Sequence, residues 1–206
     1  NRMIVGAPYN DALGVDVGIA TVYERSALNG LWQKLGSEIR PPAGILGDGP
    51  NCQFGASVAI WSDRIAVTAR DQEIVCLFRW QNGQWVSDGS VYLGSEQFRV
   101  TGLEFGATLA LEGDYLLVGA PADIADVERS GRAYLYKRNA AVNPPRWDFV
   151  KQFEPAVRNR FGGFGTAVDL SGDRAAICYE KSDLATSSGD VFIYRRGANQ
   201  TWSLEG

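Results

Sequence analysis

The sequence predicts an all-β fold made of β-propeller blades, each of four antiparallel strands, on three observations. A Phe-Gly segment recurs: Phe54-Gly55-Ala56-Ser57-Val58-Ala59-Ile60 returns as Phe105-Gly106-Ala107-Thr108-Leu109-Ala110-Leu111 and as Phe164-Gly165-Thr166-Ala167-Val168-Asp169-Leu170. A second apolar segment follows each after a short turn: Ile65 to Ala69, Leu116 to Pro121 and Ala175 to Cys178, with the same element opening the chain as Met3-Ile4-Val5-Gly6-Ala7-Pro8. A tryptophan closes every unit, at Trp32, Trp85, Trp147 and Trp202. Self-similarity at a spacing of roughly 40–60 residues marks a repeat architecture, and four short strands per repeat mark a propeller blade.

Each element has its own justification. The first and second strands are separated only by Trp61-Ser62-Asp63-Arg64, Glu112-Gly113-Asp114 or Ser171-Gly172-Asp173-Arg174, lengths suited to tight hairpins. The third strand ends aromatic-then-basic, as in Val22-Tyr23-Glu24-Arg25, Leu77-Phe78-Arg79, Leu135-Tyr136-Lys137-Arg138 and Ile193-Tyr194-Arg195-Arg196. Asn29-Gly30 and Asn82-Gly83 fall between third and fourth strands, where a two-residue turn needs positive φ. No window sustains a 3.6-residue apolar period, so helix is a minor component. The competing all-β solution is a sandwich of about 14 strands, and the constant register of Phe-Gly, Ala-Pro, Tyr and Trp argues against it. The expected blades are residues 1–50, 51–101, 102–160 and 161–206, the first lacking its innermost strand.

Phe-Gly followed after a hairpin by Gly-Ala-Pro resembles the FG-GAP repeat of integrin α-subunit propellers and other cell-surface proteins. Phe105 to Arg138 carries both halves intact; the second copy departs at Thr68-Ala69-Arg70 and the fourth at Cys178-Tyr179-Glu180. The resemblance implies a seven-bladed ring, for which this chain is too short, and so the expectation is a portion of a larger propeller. It also implies extracellular, cell-surface or secretory-lumen location and a role in adhesion. Fold alone does not determine function.

Composition removes several function classes. The net charge is −4 and there is no basic run, which disfavours nucleic acid as a partner. No stretch approaches the ~18 apolar residues of a membrane span. There is no histidine, which removes Ser–His and Cys–His nucleophile pairs and the commonest transition-metal ligand. The acidic residues are scattered without a motif to converge them, so no catalytic residue is assigned and the chain is expected not to be an enzyme. Of three cysteines, Cys76 and Cys178 occupy strand positions suited to small buried hydrophobes, and Cys52, in a loop, has the freedom to pair outside the chain. Asn199-Gln200-Thr201 is an N-glycosylation acceptor at a hairpin tip.

Integrin-type blades often carry calcium in an Asp-x-Asp-x-Asp-Gly loop between first and second strands. Here those hairpins offer one aspartate each, Asp63, Asp114 and Asp173, whereas calcium wants six to eight oxygens. No metal or other cofactor is therefore expected. The longer second-to-third and fourth-to-first connections share one face. They supply the candidate ligand-face residues Tyr9, Asp11, Asp16, Arg40, Arg99, Asp123, Asp126, Glu128, Arg158 and Arg160, with residues 181–188 as a further loop. Mixed charge with exposed aromatics suits a protein or glycan partner better than a small substrate. The alternative function is the accessory propeller of a larger secreted hydrolase. Calcium titration by calorimetry is expected to show no tight site in the hairpins; a tight site abolished by Asp114→Ala would contradict this reading.

Overall fold

The computed structural model describes residues 1–43, 51–93, 101–124, 129–157, 162–182 and 187–205. They form four antiparallel sheets in chain order. The first has three strands, β1 (Arg2–Ala7), β2 (Ile19–Arg25) and β3 (Trp32–Lys34). The second is β4 (Phe54–Trp61), β5 (Arg64–Ala69), β6 (Ile74–Gln81) and β7 (Gln84–Val91). The third is β8 (Thr108–Glu112), β9 (Tyr115–Ala120), β10 (Arg132–Asn139) and β11 (Arg146–Phe153). The fourth is β12 (Gly163–Ser171), β13 (Arg174–Ser182), β14 (Ser187–Arg196) and β15 (Trp202–Leu204). Among the described residues the one helical element is a 3-10 turn at Arg70–Gln72. These are propeller blades: each sheet is a meander, and β4 packs against β1 and β8, and β8 against β12, along the inner edge.

Turn chemistry sets the hairpins. Asn82 and Gly83 both have positive φ, 52° and 81°, as a I′ turn requires. Ser62, Gly113 and Gly172 supply a single positive φ at the first turn residue between first and second strands. Asn29-Gly30 differs from expectation: the turn runs from Ser26 to Leu31, held by Ser26 N–H to Leu31 O at 2.9 Å and Gly30 N–H to Ser26 O at 2.9 Å. The expected loop at 181–188 is also shorter, because Lys181 pairs with Ser188 and Ser182 with Ser187 as strand.

The core is three inter-blade seams. Ala20, Val22 and Cys52 meet Phe54, Ile65, Val67 and Cys76 in the first. Ala66, Val75 and Leu77, from the opposite face of the second blade, meet Phe105, Leu116, Val118 and Tyr134. Ala110, Leu117 and Leu135 meet Phe164, Ile177, Tyr179 and Trp202. Alternation along each strand thus sends successive residues into different seams, which is why inner strands are apolar on both faces. The closing tryptophans serve the same seams: Trp147 and Trp202 are buried, and Trp85 donates its indole N–H to Leu35 O at 3.2 Å in the preceding blade. Trp32 is exposed. Cys52 is buried in the first seam rather than free to pair outward, and burial pushes its thiol up to about 11 and that of Cys76 up to about 12. Cys178 is only half-buried, on the face of the fourth blade turned away from the third seam.

The two halves of the repeated motif meet across these seams. A Cβ on Gly6 would collide with Gly55 O, and one on Gly119 with Gly165 O. Gly55, Gly106 and Gly165 all have positive φ (96°, 88° and 93°), and a Cβ on Gly55 would stand 2.6 Å from Ile19 O. The glycine of one blade's second strand therefore lies against the Phe-Gly backbone of the next. At the second seam Thr68 replaces that glycine, and its hydroxyl donates to Gly106 O at 2.8 Å. The positive-φ glycine also interrupts the inner strand. Pairing skips from Phe54↔Ala69 to Val58↔Val67 and from Phe164↔Tyr179 to Val168↔Ile177, and in the third blade the strand begins only at Thr108.

Gly119→Ala is expected to destabilise the chain by about 3 kcal/mol, because backbone lies where the methyl would go. Gly113→Ala, at φ 58° with nothing within 4 Å, should cost about 1 kcal/mol from backbone strain alone. Urea unfolding of both variants checks the order, and a larger loss at Gly113 would contradict the seam argument.

Candidate recognition surface

Antiparallel meanders put the second-to-third and fourth-to-first connections of every blade at one end. Two of these connections begin and end alike. Residues 8–18 and 121–131 each open on proline (Pro8, Pro121) and close on glycine (Gly18, Gly131) at φ 78° and 79°. Asn10 N–H donates to Ala7 O and Gly18 N–H to Asn10 O, at 3.2 and 3.0 Å. The third blade repeats this with Asp123 N–H to Ala120 O and Gly131 N–H to Asp123 O, at 3.0 and 3.1 Å. Each closing glycine then bridges the next blade's phenylalanine, Gly18↔Phe54 and Gly131↔Phe164. Asn10 and Asp123 are thus one structural position.

In the second blade the same connection shrinks to the 3-10 turn, and Glu73, at φ 48°, stands where the other blades have Gly18 and Gly131. Its buried carboxylate accepts the N–H groups of Gly102, Leu103 and Glu104 at 2.7, 3.0 and 3.0 Å. A side chain here does what a backbone bridge does elsewhere: it fastens one blade to the entry of the next.

Loop 8–18 is held along its length. Asp16 N–H donates to the Asp11 carboxylate at 2.9 Å, Ala12 N–H to Asn10 Oδ1 at 3.0 Å, and Gly14 N–H to Asp11 O at 3.1 Å. From the facing segment, Asn51, Gln53 and Phe54 N–H groups donate to Val15, Asp16 and Val17 carbonyls, each at 2.9 Å. Yet Tyr9, Leu13 and Val15 remain 65 %, 38 % and 62 % exposed. The result is an ordered loop that displays three apolar side chains beside two carboxylates.

The residues singled out from sequence divide sharply. Tyr9, Asp11 and Arg40 are exposed at this end, and Asp16 is half-buried with its carbonyl and N–H both used within the loop contacts. Asp123 is a correction: it is 2 % exposed, not displayed. Its carboxylate accepts from the Tyr134 hydroxyl and, at 3.2 Å, from Arg132 Nη1, whose Nε lies 3.4 Å from Glu154. Burial first, then the hydrogen bond to Asp123, raises the Tyr134 hydroxyl well above its ordinary pKa. Arg99, Asp126, Glu128, Arg158 and Arg160 lie outside the described residues. Asn199 is exposed at the opposite end of the blades.

Sequence reasoning missed Leu13, Val15, Glu73 and the Arg132–Tyr134 support. The one available signal was the matched Pro-to-Gly length of the two loops, which pairs Asn10 with Asp123. The hairpin aspartates have structural employment. Main-chain carbonyls of Asp63, Asp114 and Asp173 accept from Trp80, Arg138 and Arg196 N–H at 2.7, 2.8 and 2.7 Å. The Asp114 carboxylate pairs with Arg64 at 3.1 Å and that of Asp173 with Arg195 at 2.8 Å, a hydrogen bond that with nearby Arg174 lowers the Asp173 pKa. Among the described residues no three His, Cys, Asp or Glu side chains converge as a metal centre would require.

Residues 100–136, spanning the entry, first, second and most of the third strand of the third blade, match the FG-GAP repeat family. No curated protein matches the chain. The matched segment contains Gly106 and Gly119, the two positions that face the neighbouring blades.

Support and display residues should separate in denaturation. Asp123→Ala leaves Arg132 without its buried partner and should cost about 2–3 kcal/mol. Tyr9→Ala should change stability by less than about 0.5 kcal/mol. Equal losses in urea unfolding would contradict the division.

Proposed function

We propose that this chain is a non-catalytic recognition module of FG-GAP type. It binds a protein or glycan partner in adhesion or scaffolding, outside the cell or in a secretory-route lumen, through the blade end that carries loop 8–18. The observation that carries the reading is the pairing of order with exposure in that loop. Its backbone is tied to residues 51–54 by three hydrogen bonds while Tyr9, Leu13 and Val15 face solvent. A preorganised loop loses little entropy on binding, and an aromatic anchor flanked by aliphatic side chains is the composition of an interface centre. Asp11 and Asp16 beside them favour a partner whose contact surface carries lysine or arginine. The chain has no histidine, and the best-placed described acids, Asp123 and Glu73, are engaged in holding loops, which supports binding over catalysis. The extracellular setting is supported by the FG-GAP repeat, a type of domain typical of that location.

The test is direct titration of the labelled chain onto cultured-cell surfaces and onto immobilised extracellular proteins and glycans. Tyr9→Ala and Val15→Asp should each weaken binding about tenfold or more, with Gln84→Ala on the far side of the second blade unchanged. Absence of binding to all three surfaces, or binding that both loop variants retain in full, would overturn the reading.

A further inference from the structure

Asparagine recurs at the turns between third and fourth strands for a structural reason. Asn29 Oδ1 accepts the N–H of Leu31 at 3.1 Å, Asn139 Oδ1 that of Ala141 at 3.1 Å, and Asn199 Oδ1 that of Thr201 at 3.2 Å. Each is a side chain folding back on the backbone two residues on, a turn device for which asparagine is suited. The fold therefore accounts for Asn199. It does not account for Thr201, since leucine and alanine fill that place in the other two turns.

What Thr201 adds is a hydroxyl that donates to Asn199 Oδ1 at 2.6 Å. Both hydrogen bonds fall on the carboxamide oxygen, and the carboxamide nitrogen has no partner among the described residues. Asn199, Gln200 and Thr201 are all exposed. The tip is nevertheless anchored. Gly197 N–H donates to Thr201 O at 2.8 Å, Gln200 N–H to Gly197 O at 3.0 Å, and the Tyr115 hydroxyl of the third blade to Gln200 Oε1 at 3.1 Å. Arg196 stacks 4.7 Å from the Tyr115 ring centre and 5.8 Å from that of Trp202.

We propose that Asn199 is an N-glycosylation site and that its glycan marks the end of the module turned away from the partner. The inference rests on the secretory location proposed above. The co-substrate is an oligosaccharide linked through pyrophosphate to a lipid carrier. Asn199 Nδ2 attacks the anomeric carbon, the N–C bond forms as the C–O bond to pyrophosphate breaks, the amide proton passes to a base of the transferase, and the lipid pyrophosphate leaves. The sugar then stands on a tip at the end opposite loop 8–18, because third-to-fourth turns and second-to-third loops emerge at opposite ends of an antiparallel blade.

The experiment is secretion of the chain from eukaryotic cells, followed by peptide N-glycosidase in heavy-oxygen water and peptide mass spectrometry. Asn199 should be recovered as labelled aspartate. Thr201→Ala should abolish the label and Thr201→Ser retain it, with urea unfolding showing both variants folded. A folded, secreted chain with unmodified Asn199 overturns the glycosylation site and leaves the recognition reading standing. Ala12→Thr completes an acceptor triplet at Asn10, whose Oδ1 already accepts the N–H two residues on. Glycan at Asn10 should reduce binding to cultured-cell surfaces at least tenfold, whereas Asn199→Gln should change it by less than about twofold. A large change on Asn199→Gln overturns the orientation.

Discussion

The close approach of two backbones across each seam is the constraint on which the arrangement depends. Where Gly6 faces Gly55 and Gly119 faces Gly165, no side chain fits on the second-strand glycine, and the Phe-Gly glycine is excluded from bearing one by both space and positive φ. That contact sets how near neighbouring inner strands come. It also places Phe54, Phe105 and Phe164 in the seams, fully buried, where each covers apolar residues of the preceding blade. The motif's two halves are separated in sequence within a blade and joined in space between blades. Thr68 shows that the requirement is for filled, satisfied contact rather than for glycine as such: its hydroxyl reaches Gly106 O, and the methyl occupies the remaining space.

The seams are also reinforced by polar contacts that vary from blade to blade. Arg2 reaches Ser62 O at 3.1 Å, Arg64 reaches Gly113 O at 2.9 Å, and Glu112 accepts Gly172 N–H at 2.8 Å, so each hairpin is gripped by the blade before it. A bulge in β7 turns Asp88 inward to a bidentate pair with Arg138 at 2.6 and 2.9 Å. The equivalent bulge in β11 carries Val150, which is exposed. A buried ion pair left half-broken costs several kcal/mol, whereas an exposed valine is tolerated. The bulge is therefore a feature of the fold and the ion pair a particular use of it.

The strands were legible because their signals are short-range. Alternation, Asn82-Gly83 and the recurring Phe-Gly each act within a few residues. Seam contacts were less legible, since they join positions far apart in the chain. Asp123 looks like a displayed loop acid in sequence, and nothing local announces that Arg132 and Tyr134 will face it from the next strand. Glu73 carries no local signal, yet it takes over a glycine's position and binds three amides from the following blade. Cys52 reads as a loop cysteine, and the positive φ of its neighbours Asn51 and Gln53 turns it into the first seam. In each case a tertiary partner overrides a reasonable local reading.

The division of labour between the two ends follows from the same geometry. At the hairpin end, the inner turns of the second, third and fourth blades are two residues long; the Asp63, Asp114 and Asp173 carbonyls accept third-strand N–H groups, and the Asp114 and Asp173 carboxylates pair with arginines. Little there is free to vary without loosening a seam. At the other end the chain must cross from one strand to another over a longer path, and the closing glycine or Glu73 fixes only the last step of that path. Between Pro8 and Gly18 the side chains of Asn10 and Asp11 brace the loop's own backbone, while those of Tyr9, Leu13 and Val15 face solvent. These three residues form no part of the seam clusters. Their exposure on an ordered loop is the observation on which the proposed partner at this end rests, and it is independent of the family resemblance.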